Sequence, residues 1–319
     1  MLEQLKTINS FINDSLNYMK NYRRYIKDGK IDKSFSGFLY NQYLLTQRNA
    51  ILDYYRNHVE EAKKYQHELE CLKKNLPYMM TCDVDDYEEK KKLIQDDIRT
   101  IELDRQTNLF FLTRKGRKLY FKRSLDSIEK VKEYYQYLAY EQSDNSPHRY
   151  LDDSFGVEKG SVVCDCGAAE GIFGLDNIAN ISKLYLFECD AEWIEALEAT
   201  FKPYRDKVVI IPKYVGDENS ENMVTLDYYF IDKDIDFIKM DIEGAEEAVL
   251  RGAKSILGRS NSLKLAIASY HSKDAERNIR KLLKDFEITK SKGFLLHGWE
   301  TAEPPFFRTG ITRACKRKL

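Results

Sequence analysis

The sequence predicts an α/β protein with a mostly parallel, Rossmann-like sheet in residues 143–319 and an α-helical N-terminal region in residues 1–142. Three observations carry this. Past the polar, turn-rich segment from Ser143 to Tyr150, short apolar runs alternate with helical ones. The first run, Ser161-Val-Val-Cys-Asp165, leads through Cys166-Gly167-Ala168-Ala169-Glu170-Gly171 into a helical pattern. A later run, Ile235-Asp-Phe-Ile-Lys239-Met-Asp241, ends in charges where a buried strand should end in apolar residues. Strand–helix–strand repetition of this kind builds a parallel sheet covered on both faces.

Taken in order, Leu2, Leu5, Ile8, Ile12, Leu16 and Met19 form one apolar helix stripe that ends near Asp28-Gly29. A longer helix is predicted over 38–76, with Leu45, Leu52, Tyr55, Val59, Ala62 and Leu69 near heptad positions and Pro77 closing it. A third is predicted over 86–107. The two would pair as an antiparallel hairpin whose stripe covers the sheet domain or a second copy of the chain. Residues 109–123, centred on Lys115-Gly116, read as a small β-hairpin, and 124–141 as a tyrosine-rich helix. Strands follow at 161–165, 183–188, 207–212, 235–241 and 263–269, and helices at 171–180, 191–201, 244–257 and 273–285. The tail around Lys290 and Gly310–Cys315 offers an antiparallel pair for the sheet edge.

Bulk properties narrow the function. The chain has 319 residues, 43% of them apolar, 32% charged, with a net charge of −1. That balance gives no electrostatic footprint for nucleic acid. The six cysteines lack zinc spacing and read as small reduced core residues. No apolar run reaches the length of a membrane span, and the first ten residues lack a signal-peptide profile, so a cytoplasmic location is expected.

The chemistry should sit at the strand ends. Small residues at 167–171 let backbone approach a ligand, although the Gly-x-x-x-Gly spacing is not the dinucleotide fingerprint. Glu188 closes the second strand about 20 residues on, where a carboxylate can accept ribose hydroxyls. Lys239, Asp241 and Glu243 alternate and so share one side. His271 follows the fifth strand and is the best-placed imidazole for proton transfer. Asp241, Glu243 and His271 are therefore the candidate catalytic residues. A divalent ion held by the same three is a weighed alternative, and no metal is taken as the working assignment.

These residues carry a resemblance. Asp165-x-Gly-Ala-x-x-Gly171, Phe187-Glu188, Thr225-Leu-Asp227, Ile238-Lys-Met-Asp-Ile-Glu-Gly-Ala-Glu246 and Leu250-x-Gly-Ala253 resemble the FkbM family of methyltransferases over about 148–271. The resemblance implies the class I methyltransferase fold, S-adenosylmethionine as cofactor, and a sugar, glycan or natural-product hydroxyl as acceptor. It implies cofactor contacts at Asp165, Gly167, Ala168, Glu170, Gly171, Glu188 and Asp241. The family usually has Asn where Ala169 stands and Pro where Cys189 stands. Two other readings compete. One is a non-catalytic cofactor-binding module that recruits a partner through its helical arm. The other, an NAD-dependent dehydrogenase, lacks the glycine fingerprint.

Overall fold

The computed structural model describes residues 35–74, 92, 94–297 and 303–316. The first predicted stripe and the Pro77–Asp85 turn lie outside them. The chain divides into two compact units, residues 1–86 with 293–308, and residues 87–292 with 309–319.

In the first unit, the helix expected over 38–76 is not continuous. It runs Phe35–Asn57, breaks at His58 (φ −124°, ψ 61°), and resumes as Val59–Ala62, a 3₁₀ turn Lys63–Tyr65 and Gln66–Lys74. The chain reverses at that break, because Arg48 Nε donates to the Leu72 carbonyl at 2.7 Å. The apolar positions read as one long stripe therefore face each other. Ile51, Leu52 and Tyr55 pack on Tyr65, Leu69 and Leu72, and Leu296, Phe306 and Phe307 complete the cluster. The single helix expected over 38–76 is thus corrected to a pair that folds back on itself.

The second unit explains what happens to 86–107. Its described helix is only Gln95–Arg99, and Glu102–Asp104 is a strand. Asp104 accepts from the Gln106 N–H at 2.9 Å, and Asn108 takes φ +55°, so the segment turns where a helix would continue. The strand pairs with Leu109–Arg114, which pairs with Arg117–Tyr120. Lys115 and Gly116 both have positive φ, as a two-residue hairpin turn requires. This small sheet is tied to two helices of the same unit, Ile172–Asn177 and Ala191–Phe201. Arg114 forks onto Asp176 at 2.8 and 2.7 Å, and the Tyr120 N–H donates to Thr200 Oγ1 at 2.9 Å. Those long-range bonds are why the second unit begins well before Ser143, where the composition changes.

The large sheet has seven strands: β1 Ser161–Cys166, β2 Ile181–Phe187, β3 Val208–Ile211, β4 Phe237–Met240, β5 Lys264–Ala268, β6 Phe286–Lys290 and β7 Ile311–Lys316. Their spatial order is β6-β7-β5-β4-β1-β2-β3. The run from β5 through β4, β1 and β2 to β3 is parallel, and β7 is antiparallel to both neighbours. This is the class I methyltransferase arrangement that the resemblance implies. Cys164, Cys166, Ile238, Met240, Leu265 and Ile267 fill the core on one face, against Val249, Leu250, Ile256 and Ile279. The strand order departs in opposite directions on either side of β1, so the crevice beyond the carboxyl ends of β1 and β4 is the ligand position. Among the described residues, no helix is long and apolar enough to cross a membrane.

Two motif residues serve the fold. The predicted helix 244–257 splits into Glu246–Arg251 and Lys254–Arg259, and the Asp227 carboxylate accepts from the Ser255 and Ile256 N–H groups at 2.8 and 2.9 Å. A Cβ at Gly252 would lie 2.1 Å from the Gly216 carbonyl oxygen.

Candidate functional site

The loop after β1 is shaped by backbone. Gly167 has φ +77°, and a Cβ there would sit 2.1 Å from the Asp241 carbonyl oxygen. The glycine therefore lets the exits of β1 and β4 touch. Gly171, at φ +80°, is closed in by Leu197 and Phe201 of the helix Ala191–Phe201, so its lack of a side chain serves packing. The Gly167 and Ala168 N–H groups both donate to the Phe187 carbonyl.

Beneath the loop lies a charged pair. Asp165 is fully buried, with Lys239 Nζ 3.0 Å from its Oδ1. Lys239 also donates to the Gly167 carbonyl at 2.6 Å. Burial raises the Asp165 pKa; for Lys239, burial opposes the charge but Asp165 and Asp241 outweigh it and hold the ammonium. Lys239 pairs with Asp165, the residue beside it in register on β1, rather than with Asp241. Ala168 and Glu170 are buried as well, and Glu170 accepts from Tyr134 OH at 2.8 Å.

Glu188 follows the end of β2, half-buried, and faces the loop. Its Oε1 accepts from the Cys189 and Asp190 N–H groups at 2.7 and 2.9 Å, and its Oε2 from the Ala169 N–H at 2.7 Å. A carboxylate has about four lone-pair directions. Three are taken, which leaves one on Oε2 for a ribose hydroxyl without surrendering a backbone partner.

The end of β4 is built from side chains. Asp241 leaves the strand with its carboxylate between two histidines, at 3.4 Å from His148 Nε2 on one oxygen and 3.5 Å from His271 Nε2 on the other. Tyr150 OH donates to Oδ2, and Tyr270 OH to Oδ1 at 3.3 Å. Burial would raise the Asp241 pKa, but His148, Lys239 and Tyr150 hold the carboxyl well below the usual range. His271 is part-buried, and its Nδ1 lies 2.9 Å from Glu246 Oε1. Burial lowers its pKa; Glu246, Asp241 and Glu243 together raise it above the ordinary value.

The three candidate catalytic residues thus converge, with unequal parts. Glu243 Oε2 is 3.6 Å from His271 Nε2, yet its side chain is 93% exposed. It sits at φ +54°, in the turn that lets the chain leave the strand. The buried partner of His271 is instead Glu246. Its Oε1 also accepts the Ile242 and Gly244 N–H groups at 3.1 and 3.4 Å. Sequence reasoning passed over Glu246, although an acid at the first position of a helix is well placed to accept the free N–H groups of the turn before it. Tyr150, Tyr270 and Glu141 carried no local signal. Asp241, Glu246 and His271 place one donor atom each within 4.8 Å of one another. Hydrogen bonds to Glu246 Oε1 and between the side chains account for this grouping.

Comparison with known proteins agrees with the motif reading. Residues 213–295, from before β4 to past β6, match the model of the methyltransferase FkbM domain. The methyltransferase FkbM from Methylobacillus flagellatus KT is 18% identical, with a TM-score of 0.42, over 72% of this chain and 60% of that one. This chain therefore spans about three-fifths of that protein's length. A proposed methyltransferase from Streptococcus mutans, solved in complex with SAH, is 18% identical with a TM-score of 0.37, over 50% of this chain and 91% of that one. The M. jannaschii tRNA m1G37 methyltransferase is 15% identical with a TM-score of 0.36, over 66% and 55%. None of the curated proteins matches the chain.

Proposed function

We propose that the chain is an S-adenosylmethionine-dependent methyltransferase acting on a hydroxyl of a sugar, glycan or natural product. The observation that carries the reading is the Glu246–His271 pair set against Asp241, beside the loop that Glu188 ties down. When bound, S-adenosylmethionine supplies the methyl group and a neutral thioether leaving group. The residues must then orient an alcohol and remove its proton.

Glu246 Oε1 accepts a hydrogen bond from His271 Nδ1–H, which directs the other ring nitrogen, Nε2, toward Asp241. As the acceptor oxygen bonds to carbon, its proton passes to Nε2 and the two carboxylates stabilise the imidazolium. The hydroxyl donates to the neutral Nε2 before transfer, and Asp241, held ionised beside that nitrogen, positions the imidazole and stabilises the charge it gains. The half-buried Glu188 fits the adenosyl ribose with its remaining lone pair. The net charge of −1 supports a small neutral acceptor over RNA.

Calorimetric titration with S-adenosylmethionine, S-adenosylhomocysteine and NAD tests the cofactor. The two adenosyl ligands should bind in the micromolar range, and NAD should not. Transfer of a labelled methyl group to alcohol-bearing and amine-bearing acceptors then tests the acceptor. Binding of NAD alone would overturn the proposal, and transfer only to amines would move it from oxygen to nitrogen.

A further inference from the structure

Asp241 has a second imidazole that the scheme above leaves idle. His148 lies N-terminal to β1, far outside residues 213–295. It is buried, with Nε2 at 3.4 Å from Asp241 Oδ2 and 3.0 Å from Tyr270 OH. Its Nδ1 is 3.9 Å from Glu141 Oε2, at the end of the helix Ile128–Glu141. Gln142 fixes the segment between them. Its Oε1 accepts the Tyr150 N–H at 3.2 Å and its Nε2 donates to the His148 carbonyl at 3.2 Å. A half-buried acid, a buried imidazole and the Asp241 carboxylate thus stand in line, with the imidazole in the middle.

We propose that Glu141 and His148 form a positioning pair, which fixes the Asp241 carboxylate and adds positive charge that balances it. The inference rests on the methyltransferase reading only in the role it gives His271. An ionised carboxylate this enclosed needs a counter-charge. Lys239 acts on it only from a distance, because its bonds go to Asp165 and the Gly167 carbonyl. His148 can fill that need, and Tyr150 and Tyr270 add neutral donors. The charged and titratable groups facing His148 are Glu141, Asp241, Lys239, Tyr150 and Tyr270, and the neutral Gln142 Nε2 lies 3.3 Å from its Nδ1. Burial lowers its pKa, Lys239 opposes the charge, and Glu141 with Asp241 prevail to raise it. Burial pushes the Glu141 carboxyl up to about 7, with Asp241 and Glu170 adding and His148 opposing. The groups facing His271 are Glu246, Asp241, Glu243 and the Tyr270 ring at 4.2 Å.

The consequence is a coupling across Asp241. With the His148 charge in place, part of the Asp241 field is spent on it. Without that charge, the field acts on His271 alone, which should hold its proton to higher pH. A side chain that only filled space would not have this effect.

The test follows the His271 imidazole by NMR titration of the full chain, without ligand, in the parent, His148→Gln and Glu141→Gln. His148→Gln should raise the His271 midpoint by on the order of half a pH unit or more. Glu141→Gln should lower the midpoint of His148 itself. A His271 midpoint unchanged in folded His148→Gln overturns the proposal. So does a His148 midpoint indifferent to Glu141→Gln, which decides the matter if His148→Gln does not fold. In turnover, the acid limb of kcat should move to higher pH in His148→Gln, with the KM for the methyl donor within a few-fold. Absence of methyl transfer in the parent would sink the enzymatic reading, while the NMR midpoints would still decide whether the pair exists.

Discussion

The exits of β1 and β4 lie side by side and are built in opposite ways. After β1 the chain makes its site from main chain: Gly167 admits the Asp241 carbonyl, Gly171 admits a helix, and N–H groups bind Phe187 and Glu188. After β4 it makes its site from side chains gathered around one carboxylate, from residues 141–150, 241–246 and 270–271. A backbone cradle suits an unchanging ligand such as a cofactor. A side-chain cluster with two imidazoles suits a step in which a proton must move.

The largest effect should come from the β4 side. His271→Ala and Asp241→Asn should each lower kcat by at least about a hundredfold, the scale of general-base loss. S-adenosylhomocysteine affinity, read by calorimetry, should stay within a few-fold. Equal loss of binding and turnover would erase the contrast between the two exits. Gly167→Ala should do the reverse of a clean catalytic lesion. Its Cβ would meet the Asp241 carbonyl at 2.1 Å in a left-handed conformation, so stability should fall by roughly 1–3 kcal/mol and cofactor binding with it. Thermal unfolding reads the first and calorimetry the second; a variant as stable as the parent would show that the two exits can separate.

Glu188→Ala should weaken S-adenosylhomocysteine by roughly 1.5–3 kcal/mol, the worth of a hydrogen bond to a charged group. Part of that comes from the Ala169 N–H, which loses its acceptor. Unchanged affinity in a folded variant would remove Glu188 from the cofactor side. The pH profile sharpens the other side. The raised His271 pKa favours the charged form in the folded protein, so this group's contribution to stability is present below its ordinary value and is lost as pH rises through the folded one. The base works when neutral, so kcat should climb across that same interval above about 6.5. A profile flat from pH 6 to 8 would take His271 out of the proton step. The smallest effect is expected from chelation. Exhaustive EDTA treatment should leave turnover unchanged, and activity lost to EDTA but restored by Mg²⁺ would install an ion at the cluster instead.

The sequence by itself determined the parallel sheet, the glycine loop, the position of Glu188 and the meeting of Asp241 with His271. Each depends on local periodicity or on the rule that ligands gather at the carboxyl ends of parallel strands. It did not determine where the N-terminal helices turn, because an apolar stripe has the same spacing whether it faces a partner or folds back on itself at His58. Nor did it pair Lys239 with Asp165, which lie far apart along the chain and meet only through strand register. His148, Tyr150 and Tyr270 reach Asp241 from residues outside its strand, with Glu141 behind His148, and polar residues in a helix end or a linker look the same in sequence whether solvated or enclosed. Only the tertiary structure decided that these are buried around one charge, since burial is a property of what packs on a residue from far along the chain.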